Sequence, residues 1–376
     1  MATAGRGAAW KESAGHMNIL TIDGGFSAPV QLRLLQKIEA QTPGFLAATD
    51  LFSGVSDGAS AALYLALMLG KGQSGAEALA GAITFSDALT RTLRATPLGV
   101  LRTMCGWGSL MNVNPFQKVL KEYFGETTLG ELLQMGKKVA VIAFDLNTSK
   151  RKIFGMGDAS SSAELDLPLY QINWASGALP LWCPVYATDT GHYFADGGVV
   201  DNNPAMAALV AAISYDRGQV GAPKNLAGIS LLSLGSTTDI PIVRFADPSS
   251  LWDRLLNLVL GSHSPLLEVE RPDRPVTWKD SRSWGYKQWM IPNVLSILQL
   301  LLTANTSGID AECKELLGNW YCRYAPIMPM IPTAIDIIFG LTCLAERSYN
   351  KQAAELAAQP AFADLSNWVN QCWKTS

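Results

Sequence analysis

Twice near its start the chain runs a short apolar segment into a tight turn and then directly into an apolar helix. No other feature restricts the fold as much. Residues 18–22 (NILTI) are β-branched or apolar and end at Asp23-Gly24-Gly25. Beyond Pro29, the apolar positions Val30, Leu32, Leu34, Leu35 and Ile38 recur at helical spacing, which predicts a helix over 29–40. Pro29 belongs in its first turn, where a missing N–H costs nothing. Residues 51–54 predict a second strand and residues 59–69 an Ala/Leu-rich buried helix. Strand, turn and helix repeated in this order begin a parallel α/β sheet.

The rest of the chain continues that alternation. Residues 114–124 predict an amphipathic helix, 128–133 a short one, and 138–146 (KVAVIAFDL) the clearest buried strand. Residues 191–196 read as a strand running into Asp196-Gly197-Gly198, 204–215 as an Ala-rich helix, and 228–234 (GISLLSL) as another buried strand. Residues 83–108 read as a loop or a helical cover. From about Trp252 the pattern is mostly helical, with apolar stretches at 292–304 and 327–344. The first is too short to span a bilayer, and the second contains Pro329, Pro332 and Asp336, so both read as buried helices.

Composition bounds the chemistry. Hydrophobic residues make up 48% of the 376 and charged ones 16%, well under the usual figure of about a quarter. Such a chain buries a large core and keeps an apolar pocket or face. With 29 basic and 32 acidic residues the net charge is -3, which argues against nucleic acid as a partner and against electrostatic binding to anionic lipid. Residues 1–16 lack the apolar core of a signal peptide and are expected to be an added leader ahead of Met17. The expected location is the cytoplasm. The six cysteines form no CxxC pair and read as buried thiols. With His16 set aside, His192 and His263 are too few for a zinc site. Neither a metal nor a cofactor is expected.

Gly54-Val55-Ser56-Asp57-Gly58 fits G-x-S-x-G between a strand and a helix. That context forces the serine into a sharp, exposed turn and aims the new helix's N–H groups at the same spot. The plainer reading is a turn in which Ser56 and Asp57 cap the helix. A nucleophilic serine also needs a base and an oxyanion hole. The glycine turn at 23–25 offers bare backbone N–H groups. Asp196 offers a carboxylate at the end of a strand, on the edge where parallel strands of such sheets gather their ligands.

These segments resemble the patatin-like phospholipases, which carry Asp-Gly-Gly-Gly-x-Arg/Lys-Gly, then G-x-S-x-G, then Asp-Gly-Gly/Ala. The counterparts are IDGGFSAP at 22–29, GVSDG at 54–58 and DGGVVDNNP at 196–204. FGETTLGELL at 124–133, VAVIAFDLNT at 139–148, WASGALPLWCPVY at 174–186, SLLSLGS at 230–236 and WGYKQWM at 284–290 are also similar to the family. The resemblance implies an α/β three-layer sandwich with a mostly parallel central sheet, here with a helical C-terminal region. It places a catalytic domain over 17–290, with a mostly helical part over 291–376 packed on it. It implies a Ser56–Asp196 dyad, an oxyanion hole at Gly24, Gly25 and Phe26, and a lipid or acyl-ester substrate. The 11 Trp, the long apolar stretches and the net charge of -3 lead to the expectation of hydrophobic, peripheral contact with a membrane, against the plainer reading of a Trp-rich core. A buried carboxylate serves such a dyad because desolvation raises its pKa.

The chain departs from the family pattern at Phe26, where a third glycine is usual, at Ala28, where a cation is usual, and at Pro29. Two other readings remain. Ser56, Asp196 and His263 stand in the chain order of an α/β-hydrolase triad. The altered glycine loop is also compatible with a lipid-binding protein of weak or no activity.

Overall fold

Alternation within the strands decides the architecture. All six residues of β1 (Met17–Ile22) are buried, yet Leu20 and Ile22 join one apolar core while Met17 and Ile19 join another. Successive strand side chains point to opposite faces, so a strand buried on both lies inside a sheet covered on both sides. β2 (Leu51–Val55) divides the same way, Phe52 against Leu51 and Val55. So does β3 (Lys138–Asp145), with Val139, Val141 and Ala143 on one side and Ala140 and Ile142 on the other. The computed structural model describes residues 16–25, 27–93, 99, 107–109, 111–156, 161–180, 182–188, 191–216, 226–235, 294–326 and 342–373.

Among them the sheet has eight strands. β4 (Lys150–Phe154), β5 (Tyr186–Ala187), β6 (Tyr193–Asp196), β7 (Ile229–Leu234) and β8 (Tyr321–Tyr324) complete it. The β3-β2-β1-β7-β8 part is parallel throughout, and β4, β5 and β6 pair antiparallel. Helices cover both faces. The first core receives α1 (Ala28–Gln41), α2 (Asp57–Gly70), α3 (Gly75–Thr92), α4 (Asn114–Phe124), α5 (Leu129–Gln134) and, beyond the short α6 (Ser162–Leu165), α7 (Leu169–Gly177). Past the single turn α8 (Gly198–Asp201), the second core receives α9 (Ala205–Asp216) and the later part of α10 (Val294–Leu317). α11 (Thr342–Ala357) and α12 (Pro360–Cys372) return to the first core. This is a three-layer α/β sandwich. The chain divides into two compact units, 1–237 with 306–376, and 238–305.

Three elements differ from the sequence reading. Residues 75–92, part of which read as loop or cover, are the helix α3. β4 (KRKIF) is a strand whose charged first half lies exposed, which hides any apolar alternation. β8 lies in a region read as helical. Its four residues are too few to show a period, and they become a strand by pairing with β7, Leu231 with Tyr321 through Leu234 with Tyr324.

β6 also corrects the expectation that Asp196 ends a strand parallel to the rest. β2 pairs with β3 up to Val55–Ile142, and β6 pairs antiparallel with β3 from Asp145–Phe194 to Ala143–Asp196. β4 takes the other edge of β3 over 141–145. A strand residue has one partner on each edge, so β2 and β6 share a single lane along β3. They run toward each other and stop at consecutive residues. Among the described residues no helix is long and apolar enough to cross a membrane.

Candidate active site

Ser56 follows β2 with no intervening loop and opens α2, at φ 56° and ψ -123°. A side chain with Cβ is strained there, at a cost of about 1–3 kcal/mol. The flanking glycines are required by proximity. A Cβ on Gly54 would run into the Gly58 carbonyl, and one on Gly58 into the carbonyls of Ile22 and Asp23. Ser56 makes no side-chain cap to α2; its hydroxyl donates to Asp196 Oδ2 at 2.7 Å. Asp57 Oδ2 accepts the Ala28 N–H at 3.0 Å and ties α1 to the start of α2.

Asp196 reaches Ser56 because β2 and β6 meet end to end. Gly197 fits the junction, where a Cβ would strike the Ile142 carbonyl and the Val55 side chain. The Asp196 carboxylate is 1% exposed. Burial lifts its pKa to about 7, against the lowering effect of hydrogen bonds from Ser56 and from the Gly198 N–H, with nearby Asp57 raising it further. A serine hydroxyl donating to a carboxylate so tuned can surrender its proton as it attacks an electrophile.

The end of α7 braces both residues, a role the sequence reading did not assign. Ser176 Oγ accepts the Ser56 N–H at 2.9 Å and donates to the Ile142 carbonyl at 2.6 Å. The Ser176 and Ala178 carbonyls accept the Gly197 and Asp196 N–H groups at 3.2 and 3.0 Å. The only sequence signal was that Ser176 sits in the family-like segment 174–186.

The glycine turn lies against Ser56. A Cβ on Gly24 would come within 3.1 Å of the Ser56 Cβ and 2.7 Å of Asn202 Oδ1. The Gly24 N–H donates to the Asn202 carbonyl at 3.3 Å. Gly25, at φ 107°, has open space where a Cβ would be, and its N–H has no acceptor among the described residues. Phe26 lies outside the described residues. Beneath the turn, Asp23 is 1% exposed and pairs with Arg323 of β8 at 2.6 and 3.3 Å. Arg323 also donates to Ser233 at 2.7 Å. This cation was missed because its strand was missed.

A cleft open to solvent exposes Ser56 and Asp57. Leu89, Leu93, Phe116, Leu179 and Trp182 make it largely apolar. Cys183 lines it too, and burial together with Asp196 pushes its thiol up to about 12, so it stays protonated. His192 stacks at 6.4 Å on Phe194, and His263 lies outside the described residues. Among the described residues no three His, Cys, Asp or Glu side chains gather to hold a metal.

A family model described as patatin-like phospholipase matches residues 20–209. Patatin-2-Kuras 3 of Solanum tuberosum is 28% identical over 54% of this chain and 47% of its own length. Patatin group D-2 of the same plant is 29% identical over 46% of this chain and 40% of its own. The chain thus spans less than half the length of these relatives. Among solved structures, VipD from Legionella pneumophila aligns over 95% of this chain and 79% of its own, at 11% identity and a TM-score of 0.35.

Proposed function

The chain belongs to the patatin-like phospholipase family, and from that premise we propose that it hydrolyses acyl esters of lipids with Ser56 as nucleophile and Asp196 as general base. Ser56 Oγ attacks the acyl carbonyl carbon while its proton passes to Asp196. The oxyanion that forms faces the Gly25 N–H and the N-terminal end of α2, where the helix dipole favours negative charge. Collapse of the tetrahedral species breaks the bond to the alcohol, which leaves with the proton from Asp196. Water then attacks the acyl-Ser56 ester, gives a proton to Asp196, and the carboxylic acid departs as Ser56 recovers its hydrogen.

The observation that carries this reading is the 2.7 Å bond from the strained Ser56 hydroxyl to a buried carboxylate. The apolar cleft beside it suits an acyl chain. Turnover of a chromogenic short-chain ester tests it. Ser56→Ala and Asp196→Asn should each cut kcat/KM by about 10⁴-fold with the fold intact, and His263→Ala should retain most activity. A folded but dead His263→Ala protein would instead favour the triad. A lipid assembly is the proposed partner, met through apolar contact because the net charge is only -3. Flotation with neutral vesicles should then be insensitive to salt, and failure to float at any lipid composition would remove that partner.

A further inference from the structure

One wall of the cleft beside Ser56 comes from a part of the chain that the family match does not reach. That match ends at residue 209, yet Tyr349 of α11 lines the cleft together with Pro29 of α1 and Leu89 and Thr90 of α3. Tyr349 is 3% exposed and belongs to the first apolar core.

α11 is held there by a buried cation. Arg33, on the second turn of α1, is 6% exposed. Its guanidinium grips Asp87 of α3 with two bonds of 2.7 and 3.2 Å, and it donates to Asn350 of α11 at 2.6 Å and to the Pro29 carbonyl at 2.9 Å. It also lies 5.7 Å from the centre of the Tyr349 ring. A planar, forked cation suits this task, since it meets a carboxylate in a bidentate pair and an aromatic ring at once. One side chain thus ties together the three helices that supply Pro29, Leu89, Thr90 and Tyr349. Nothing in the proposed chemistry uses Arg33, and a charge this buried needs all of these partners.

We propose that Tyr349 sets how long an acyl chain the cleft accepts, and that Arg33 is the positioning residue that docks α11 to present it. This rests on the acyl-hydrolase reading. The phenol ring occupies volume that further methylenes of the substrate would fill. Removing it extends the apolar channel, and enlarging it shortens the channel.

The test is a series of p-nitrophenyl esters from acetyl to dodecanoyl, assayed with the full chain. Tyr349→Ala should raise the dodecanoyl-to-butanoyl ratio of kcat/KM by about 10-fold, mostly through a lower KM for the long ester. Tyr349→Trp should move the ratio the opposite way, so a folding defect in either variant leaves the other to decide. Arg33→Met should change long-chain KM in the same direction as Tyr349→Ala, and Arg33→Lys should recover part of the original preference. An unchanged chain-length profile in folded Tyr349→Ala or Tyr349→Trp, with Ser56→Ala inactive, overturns the assignment of Tyr349. A Ser56→Ala protein as active as the parent overturns Ser56 as nucleophile instead, and a parent that turns over none of the esters overturns the hydrolase reading.

Discussion

At the scale of single residues, the site depends on one carboxylate kept out of water. Asp196 moves from an ordinary 3.8 to about 7, chiefly because of burial. As the proposed base it must be ionised before attack, so kcat/KM should rise with pH through about 7 and then level off. A limb near pH 4 instead would mean that Asp196 titrates as an ordinary carboxylate despite its burial. The same shift affects stability. Between about pH 4 and pH 7 the folded protein holds a proton that the unfolded chain has released, so stability falls as pH rises through that window. A full displacement from 3.8 to about 7 corresponds to roughly 4 kcal/mol. Asp196→Asn should therefore unfold at higher denaturant than the parent at pH 8, with the advantage shrinking toward pH 4. Equal midpoints at pH 8 would mean that the carboxylate is better solvated than its burial implies.

At the scale of elements, two strand ends and one helix end assemble the site. β2 and β6 meet in one lane along β3, and α7 closes the junction through Ser176, which is fully buried. Ser176→Ala would leave the Ser56 N–H and the Ile142 carbonyl without their partner, at about 1–3 kcal/mol for each buried group. Urea unfolding should register that loss, and kcat should fall more than KM rises because Ser56 is no longer pinned. Unchanged kcat in a destabilised variant would limit Ser176 to holding the fold. α3 shows what local reading can overlook. Ser74 and Glu77 form a capping box, with the Glu77 N–H on Ser74 Oγ at 3.3 Å and the Ser74 N–H on Glu77 at 2.9 Å. Apolar residues follow at 78, 79, 82, 85 and 89, all buried. The signal was in the chain, but Gly75 and Gly81 diluted it. Gly81 is there because a Cβ would collide with Tyr64.

At the scale of the molecule, the C-terminal part works on the N-terminal part from far along the chain. Arg323 pairs with Asp23 across 300 residues and fixes the foot of the glycine turn. Gly235 makes room, since a Cβ there would strike both partners. Removing one member of a buried pair strands the other's charge, typically at about 3–5 kcal/mol. Arg323→Gln should lower stability by that order and slow ester hydrolysis, and adding Asp23→Asn should recover part of the stability. Additive losses in thermal or denaturant unfolding would show that the pair is not coupled.

Short-range information in the sequence determined β1, β2, β3 and β7, the helices that follow the glycine turns, and the identity of the serine motif. Each is a local pattern of apolar period and turn chemistry, and such patterns keep their meaning wherever the chain goes. Tertiary structure decided what those patterns leave open. β4 and β8 carry little periodicity of their own and exist as strands through their neighbours. The approach of Asp196 is antiparallel because register along β3 leaves one lane free beyond Val55. Ser176, Arg323 and Tyr349 have no local signature of a role, since a hydroxyl, a cation or a ring acquires one only from what packs against it. A carboxylate's pKa near 7 is likewise a property of its burial, and burial is settled only when distant segments close over it.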